Sequence, residues 1–322
     1  RNRTQATSWY NEALNTATRG SRKEFPAVAV IVAEATKVTI YDGDDPSLPM
    51  WMVFSGGLEG SSPNRINALG GGAVTSLSIA ALNGQLVIGK NSTAQSSAAL
   101  IWSFTEDRFG NYTNNVAWGG WAGVISTRQE LGILDASFPS IVNSVVNDVA
   151  MTVLPDAPID YATGLQIPTI AVATAGGVSV IKDDGTVIDI TSTNESTSRF
   201  VTFNKEQKLQ YQMGNRNGIR VDLIPDADFS IGGQTSTGNS LEFYFPSDLA
   251  AAGWAGDLKF LGSSSSADVG KVAFLNGAIR SVKGLTFVDR KPTTPHKGMV
   301  AYTTASYTSG WMPGDIKGAF LA

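Results

Sequence analysis

The stretch VTIYDGDDPSLPMWMVF, residues 38–54, places three aspartates and two prolines between two hydrophobic runs. An Asp-Gly pair favours a turn, and the prolines hold the chain extended as it leaves that turn. The stretch therefore predicts a strand, a turn and a second strand, with apolar residues on either side. A Ca²⁺-binding loop is the alternative, because Ca²⁺ prefers several oxygen ligands. Its candidate ligands are Asp42, Asp44 and Asp45, but their spacing is not that of an EF-hand and no glutamate closes the loop.

The composition is typical of a β-rich protein with many tight turns. Of 322 residues, 42% are hydrophobic, only 16% are charged and 34 are glycine; Ser, Thr, Asn and Gly fill the deficit of charge. The net charge of −4 gives no support to a nucleic-acid partner. No apolar run reaches the ~18 residues that a membrane span needs. Because the chain begins at Arg1, we expect it to be a piece of a longer or processed polypeptide.

The lack of cysteine and the single histidine exclude much of enzyme chemistry. Thiolate catalysis, cysteine-based zinc sites and disulfides are impossible. His296 lies in a Pro-rich polar loop without a GxSxG elbow, so we expect a solvated loop residue and not a member of a triad. Many aspartates are available for glycoside hydrolysis, but the sequence does not tell which of them converge. We therefore name no catalytic residue and no cofactor, and expect a protein that is not an enzyme.

Residues 1–25 differ from the rest of the chain. They carry five basic residues against two glutamates, and their apolar residues follow a helical spacing, with a possible N-cap at Thr7 or Ser8 and Gly20 beyond the C-terminus. The pattern predicts a short amphipathic helix. This helix either packs on its own domain or is a linker that docks on a neighbour. We accordingly divide the chain into an N-terminal helix or linker, residues 1–25, and a β domain, residues 26–322.

The β domain contains short hairpins that recur with a similar sequence. Two-residue turn signals favour hairpins, and they lie at Asn83-Gly84, Gly176-Gly177, Asp184-Gly185 and Asn276-Gly277, with a weaker hairpin in residues 200–213. The segments IAALNGQLVIGK and VAFLNGAIRSVK, which hold the first and last of these turns, share five residues when aligned without gaps. Two segments, residues 111–151 and 247–260, break the pattern with a partly helical or irregular character.

The spacing of these hairpins predicts an all-β fold of the β-propeller type. Gly84 and Gly177 lie 93 residues apart, and Gly177 and Gly277 lie 100 residues apart, which leaves room for two units of ~40–50 residues in each interval. Radial repetition of such units leaves only short sheet edges exposed. We expect about six or seven blades with irregular insertions. A parallel β-helix and an array of β-sandwiches are the alternatives.

Three long phrases carry a resemblance to a known family. They are residues 38–54, quoted above, IPTIAVATAGGVSVIKDDGTVIDIT at 167–191, and GMVAYTTASYTSGWMPGDIKGAFLA at 298–322. They resemble structural virion proteins of marine tailed phages, of the tail fibre or tailspike type, which often carry a downstream concanavalin A-like lectin domain. The resemblance covers most of residues 27–322. It implies an extracellular virion appendage that contributes to host attachment, and it offers no catalytic residues to transfer.

The resemblance also sets the expected partners. Virion appendages are commonly symmetric, so we expect a homo-oligomer, a trimer in the first place, in contact with other virion proteins and with host surface glycan. Tryptophan rings stack on sugars, and the best candidates for glycan contact are the glycine-flanked Trp118, Trp121 and Trp254. Trp51, Trp102 and Trp311 are expected in the core. The alternative functions are a carbohydrate-active depolymerase of host surface glycans and a secreted propeller lectin or adhesin.

Overall fold

The computed structural model shows two compact units, Arg1–Asp189 and Ile190–Ala322. It describes residues 4–34, 37–55, 77–90, 98–114, 120–128, 133–135, 139–161, 163–193, 197–203, 207–213, 218–231, 241–244, 258–260, 271–275, 285–289, 299–303 and 316–321. In this part of the chain almost all regular structure is β-strand. The prediction of an all-β fold with several antiparallel sheets is confirmed.

The first sheet contains residues 38–54, with the predicted strand, turn and strand. Its strands lie in the order β1-β2-β3 and are antiparallel: β1 Ala29–Glu34, β2 Lys37–Asp42 and β3 Met50–Ser55. The predicted strand, turn and strand are therefore correct. In the turn, the N–H of Gly43 donates to the carbonyl of Val28 at 2.8 Å. A Cβ atom at Gly43 would lie 2.8 Å from the same oxygen, so this close approach of two backbones requires glycine.

The second sheet is an antiparallel meander of six strands in chain order. They are β4 Leu77–Leu82, β5 Gln85–Lys90, β6 Ala99–Ser103, β7 Arg108–Tyr112, β8 Gly120–Gly123 and β9 Ile133–Asp135. The predicted hairpin at Asn83-Gly84 is confirmed. Both residues have positive φ, 48° and 75°, as a type I′ turn requires. The described part of the segment 111–151, expected to be irregular and partly helical, contains strands and one 3₁₀ turn at Ile125–Thr127, with irregular stretches at 113–114 and 139–144.

A third group of strands follows in the first unit: β10 Val146–Thr152, β11 Thr169–Thr174 and β12 Gly177–Ile181, all antiparallel. The turn between the last two lies at Ala175-Gly176, one residue before the predicted position. The hairpin predicted at Asp184-Gly185 forms, but its turn is centred on Asp183-Asp184, one residue before the predicted position. Gly185 has φ +84° and donates its N–H to the Lys182 carbonyl, while the N–H of Lys182 donates to Thr186.

The second unit is also built of strands. Strand β13, Val187–Ser192, contains the boundary between the units, and its last three residues pair in parallel with β17, Phe229–Ile231. One further sheet contains β14 Val201–Phe203, β15 Leu209–Tyr211, β16 Gly218–Asp222 and β18 Leu241–Tyr244. Another contains β19 Leu258–Phe260, β20 Lys271–Leu275, β21 Leu285–Asp289, β22 Met299–Thr303 and β23 Ile316–Leu321.

Two predicted hairpins fall in this unit. The weaker one, in residues 200–213, is confirmed as the antiparallel pair of β14 and β15. The Asn276-Gly277 turn and most of residues 247–260 lie outside the described residues, although β20 and β21 on either side of the turn pair antiparallel. Within the described ranges no helix has the length and apolar character that a membrane crossing requires.

The predicted N-terminal helix is wrong. Residues 4–25 form turns and bends, and Asn15 has a left-handed φ of 58° that a continuous helix does not allow. The physical reason is competition from the edge of β3. The N–H of Gly20 donates to the Trp51 carbonyl, and the N–H of Val53 donates to the Thr18 carbonyl, both at 2.9 Å. Pairing with a neighbouring strand thus replaces hydrogen bonds within a helix.

Successive side chains of β5 point to opposite sides of the second sheet. Side chains on both sides belong to hydrophobic cores, so the sheet is buried on both faces. Leu86 and Ile88 belong to one core and Val87 belongs to another. The first core joins this sheet to the first sheet and the N-terminal segment: Trp9, Val38, Ile40, Trp51, Met52, Phe54, Leu86, Ile88, Leu100, Trp102, Phe104, Phe109 and Ile125. The expected burial of Trp51 and Trp102 is confirmed, and Trp311 lies outside the described residues.

The second core joins the second sheet to strands β10–β12. Its members are Val87, Ala98, Ala99, Tyr112, Ile141, Val146, Val149, Ile170, Val172 and Ile181. Gly89 allows the two layers to approach closely. A Cβ atom there would lie 2.5 Å from a methyl group of Val146 and 2.7 Å from one of Val149. The two cores therefore stack three successive layers of strands face to face.

A buried charge cluster attaches the N-terminal segment to the first core. The side chains of Arg19 and Arg128 are fully buried, and Glu12 lies between them. Arg128 contacts Glu12 at 2.8 Å and donates to the carbonyls of Thr18 and Val53. Arg19 lies 3.9 Å from Glu12, and its guanidinium stacks 4.4 Å from the ring centre of Trp51. Burial lowers the pKa of Arg19 to about 10, with Glu12 opposing the shift, so Arg19 is charged at neutral pH.

We predict that Glu12→Gln strongly destabilises the protein. The substitution keeps the size of the side chain but leaves two buried cations without a carboxylate, which costs about 3–5 kcal/mol of unfolding free energy. Urea denaturation followed by tryptophan fluorescence measures the effect. Glu24→Gln is the matched control, because Glu24 is exposed and its substitution is expected to change stability by less than about 0.5 kcal/mol. Equal stabilities for the two variants would contradict this role of Glu12.

Candidate functional site

The described part of the first unit contains a groove between the second sheet and strands β11 and β12. Its volume is about 270 Å³. The residues that line it are Gln85, Ile101, Ser103, Glu106, Arg108, Gly110, Tyr112, Ile167, Pro168, Ile170, Ile181, Lys182, Asp183, Asp184 and Gly185. It begins where the second core ends, so its floor is apolar and its rim is polar.

The register of the second sheet creates one wall of the groove. Gln85 pairs with Ser103, and Ser103 pairs with Arg108, so three polar residues form one row across β5, β6 and β7. The next row on the same face contains Ile101 and Gly110. Since glycine has no side chain, the groove is open beside Ile101. Polar groups at the rim thus stand directly above an apolar floor.

The opposite wall is the turn that follows β12. It carries Lys182, Asp183 and Asp184, with Asp184 accepting hydrogen bonds from the backbone and the hydroxyl of Thr186. These bonds, the hydroxyl first, lower the pKa of Asp184. The carboxylate of Asp184 is therefore committed to the turn. Asp183 points to the groove with no comparable bond among the described residues.

Hydrogen bonds hold both walls in place. The Ser103 hydroxyl accepts from the N–H of Glu106 at 3.2 Å and contacts the Thr105 hydroxyl at 3.0 Å. At the end near Pro168, the Asn83 amide donates to the Gln166 carbonyl at 2.8 Å. This last bond ties the turn of the second sheet to the segment that leads into β11. The groove is consequently preorganised.

The charges at the groove are mixed. Glu106 and Arg108 form an ion pair at 3.5 Å on the exposed rim, and such exposed pairs add little stability. Tyr112 is buried beneath them, and burial raises the pKa of its hydroxyl, so it stays protonated and can donate a hydrogen bond. The arrangement suits recognition of a polar ligand with an apolar face.

The predicted glycan-contact residues cannot be placed in this groove. Trp118 and Trp254 lie outside the described residues, and for Trp121 only the backbone, in β8, is described. Their role stays a prediction. Among the described residues, Tyr161 is an exposed aromatic side chain, 101% exposed in the turn-rich segment between β10 and β11. No sequence signal pointed to it, because its exposure depends on how that segment folds back on itself.

The predicted cation ligands have structural partners. Arg22 donates to the carboxylates of Asp42 and Asp44 at 2.8–2.9 Å. Asp44 also accepts from two backbone N–H groups, which, with Arg22, lower its pKa. Asp45 accepts from the N–H and hydroxyl of Ser47. In the described ranges no group of three His, Asp or Glu side chains is placed to hold a metal ion. The geometry thus gives the three aspartates the turn-forming role that the proline spacing favoured.

Comparisons with known proteins give little for assigning function. The sequence matches no protein-family model, and no curated protein is significantly similar to it. A virginiamycin B lyase from Staphylococcus aureus with quinupristin aligns at 14% identity over 84% of this chain and 63% of its own, with a TM-score of 0.38. The dihydro-heme d1 dehydrogenase NirN in complex with DHE aligns at 10% identity over 94% and 56%, with a TM-score of 0.40.

A third solved structure, the β-propeller domain of Cps50 (Swd1) from Myceliophteria thermophila, aligns at 12% identity over 88% of this chain and 96% of its own, with a TM-score of 0.34. The chain spans less than two thirds of the length of the other two proteins. TM-scores this low carry no argument about activity or about closure of the sheets. The described residues define the class directly: an all-β protein of antiparallel sheets, with a polar groove in its first unit.

Lys90 is a buried charged residue that was not predicted from the sequence. It ends β5 on the face that carries Leu86 and Ile88, and only 1% of the residue is exposed. Burial lowers the pKa of its amine to about 8. A lysine is ordinarily predicted at the surface, and the alternation of β5 is the one signal that could have indicated its burial.

We predict that stability depends on pH through Lys90. Its pKa is lower in the folded chain than in the unfolded chain, so between these values the unfolded state binds more protons and stability rises with pH. The expected gain is about 1–2 kcal/mol between about pH 7 and about pH 9.5. Urea unfolding of Lys90→Met should show most of this gain lost and a higher stability at pH 7. Lys37→Met, at an exposed position of β2, should keep the slope; equal slopes in both variants would refute the assignment.

Proposed function

We propose that the chain is a non-enzymatic structural protein of a phage virion, part of a tail fibre, tailspike or other appendage, and that it contributes to host attachment. The observation that carries the proposal is the resemblance of three long phrases, near the beginning, middle and end of the β domain. Two of the phrases, residues 38–54 and 167–191, form the strands and turns around the first and second cores. The lack of thiol and nucleophile–histidine chemistry supports a role without catalysis.

We further propose that the antiparallel sheets are blades of a β-propeller with about six or seven blades. Three successive layers in the first unit stack face to face, with the second sheet buried on both faces. Propeller blades pack in this manner around their axis. Consecutive strands also pair in chain order within each layer, which supports the same proposal.

The proposed assembly is a homo-oligomer, a trimer in the first place, located in the extracellular virion and in contact with other virion proteins. The support for this assembly is that virion appendages are commonly symmetric. The N-terminal segment is not a free docking helix, because Trp9 and Arg19 are fully buried in the first unit. Light scattering of the full-length protein tests the assembly, and a monomer would contradict it.

Virion composition tests the proposed function directly. Mass spectrometry of purified particles that encode this chain is expected to detect the polypeptide among the tail proteins. Purified chain added to host cells is expected to slow adsorption of the phage, since both would compete for one receptor, whereas heat-unfolded chain should have no effect. Particles that lack the polypeptide would contradict the proposal.

A carbohydrate-active depolymerase is the second candidate, because the groove brings Glu106 and Asp183 to one site. Glycoside hydrolysis needs two carboxyl groups on either side of the scissile bond. The first proposal predicts no shortening of host polysaccharide in size-exclusion chromatography after incubation with the chain. Shortening that Glu106→Gln and Asp183→Asn each abolish, while the exposed Asp156→Asn does not, would favour the depolymerase instead.

A further inference from the structure

We infer that the groove of the first unit binds a neutral saccharide, a single hexose ring or one ring of a longer glycan. The inference rests on the proposed attachment function for its biological meaning, and it names the site and the ligand class of that attachment. The ligand would lie on the apolar floor and exchange hydrogen bonds with the polar rim. None of the glycine-flanked tryptophans predicted for glycan contact is needed for this site.

The floor matches the C–H face of a sugar ring. Ile170 and Ile181 are 2% and 4% exposed and close the bottom of the groove, and Ile101 lies beside the open position at Gly110. A pyranose ring has one face of C–H groups and an edge of hydroxyls. Ile101 is half-buried and offers apolar surface that this face can cover, whereas Ile170 and Ile181 are already almost fully buried and close the groove from below.

Two rim groups have hydrogen-bonding capacity to spare. Among the described residues, the amide of Gln85 and the carboxylate of Asp183 make no hydrogen bond with another side chain or with the backbone. The amide of Gln85 can both donate and accept hydrogen bonds. The carboxylate of Asp183 can accept charge-assisted hydrogen bonds from two hydroxyl groups. They belong to opposite walls. A ring with hydroxyls along its edge can satisfy both at once, in place of water.

The charge at the groove selects against anionic ligands. Two cations, Arg108 and Lys182, face three carboxylates, those of Glu106, Asp183 and Asp184. Arg108 is already opposed by Glu106 at 3.5 Å. An anionic ligand such as a phosphate or a uronic acid would meet a surplus of negative charge, which disfavours it. A metal ion is disfavoured too, because no convergent set of three ligands exists among the described residues.

Direct binding to the purified full chain tests the inference. The probes are glucose, galactose, mannose, N-acetylglucosamine and their disaccharides, with glucuronic acid and N-acetylneuraminic acid as charged counterparts. Saturation-transfer NMR identifies binders, and calorimetry gives the Kd. At least one neutral sugar is expected to bind, and Asp183→Ala and Gln85→Leu are each expected to weaken its Kd by about tenfold or more. Asp156→Ala removes the same charge from an exposed position outside the groove and should leave the Kd unchanged.

Asp183→Ala is suited to the test because Asp184, and not Asp183, holds the turn through Thr186. Unchanged thermal midpoints would show that each variant is folded. Binding of the acidic sugars alone, binding of no sugar, or binding that both groove variants leave intact would each overturn the inference. These measurements do not involve the virion. Sugar binding by a chain that is absent from particles would therefore support the inference and refute the proposed function. A chain that is present in particles but binds no sugar would refute the inference and support the proposed function.

Discussion

A single carboxylate compensates two buried guanidinium groups in the first unit, and much of that unit depends on this constraint. Glu12 comes from the N-terminal segment, Arg19 from the part of that segment that pairs with β3, and Arg128 from the end of the 3₁₀ turn after β8. A buried charge is tolerated only when it is paired and hydrogen-bonded. The three residues therefore fix three distant parts of the chain against one hydrophobic core.

The groove follows from the packing that this core begins. The first core occupies one face of the second sheet, which leaves the other face for strands β10–β12. Gly89 lets β10 come close at one end, while the row of Gln85, Ser103 and Arg108 keeps the other end polar and open. The second sheet thus forms an apolar interface with β10 at one end and one wall of the polar groove at the other. A binding site placed on rigid strands and short turns needs little ordering when a ligand arrives.

Local chemistry explains which parts of the fold were predictable. The turn at Asn83-Gly84 depends on backbone preferences of two adjacent residues, so the sequence alone locates it. The turn before Gly185 was located only to within one residue. The N-terminal segment shows the limit. Its apolar spacing is helical, but the edge of β3 offers better hydrogen-bond partners, and no local pattern reveals that edge. The groove was equally out of reach, because Glu106 and Asp183 come to line one groove only through the stacking of two layers.

Removal of residues 1–25 tests most directly the claim that this segment is part of the first core. The truncated chain lacks Glu12, Arg19 and the ring of Trp9, which all lie in or against the first core. Its first unit should then unfold at a much lower urea concentration than in the full chain, with early loss of amide protection in β3 and β6. A truncated chain with the same unfolding midpoint and the same protection would show that the segment is only a linker, and would contradict the account.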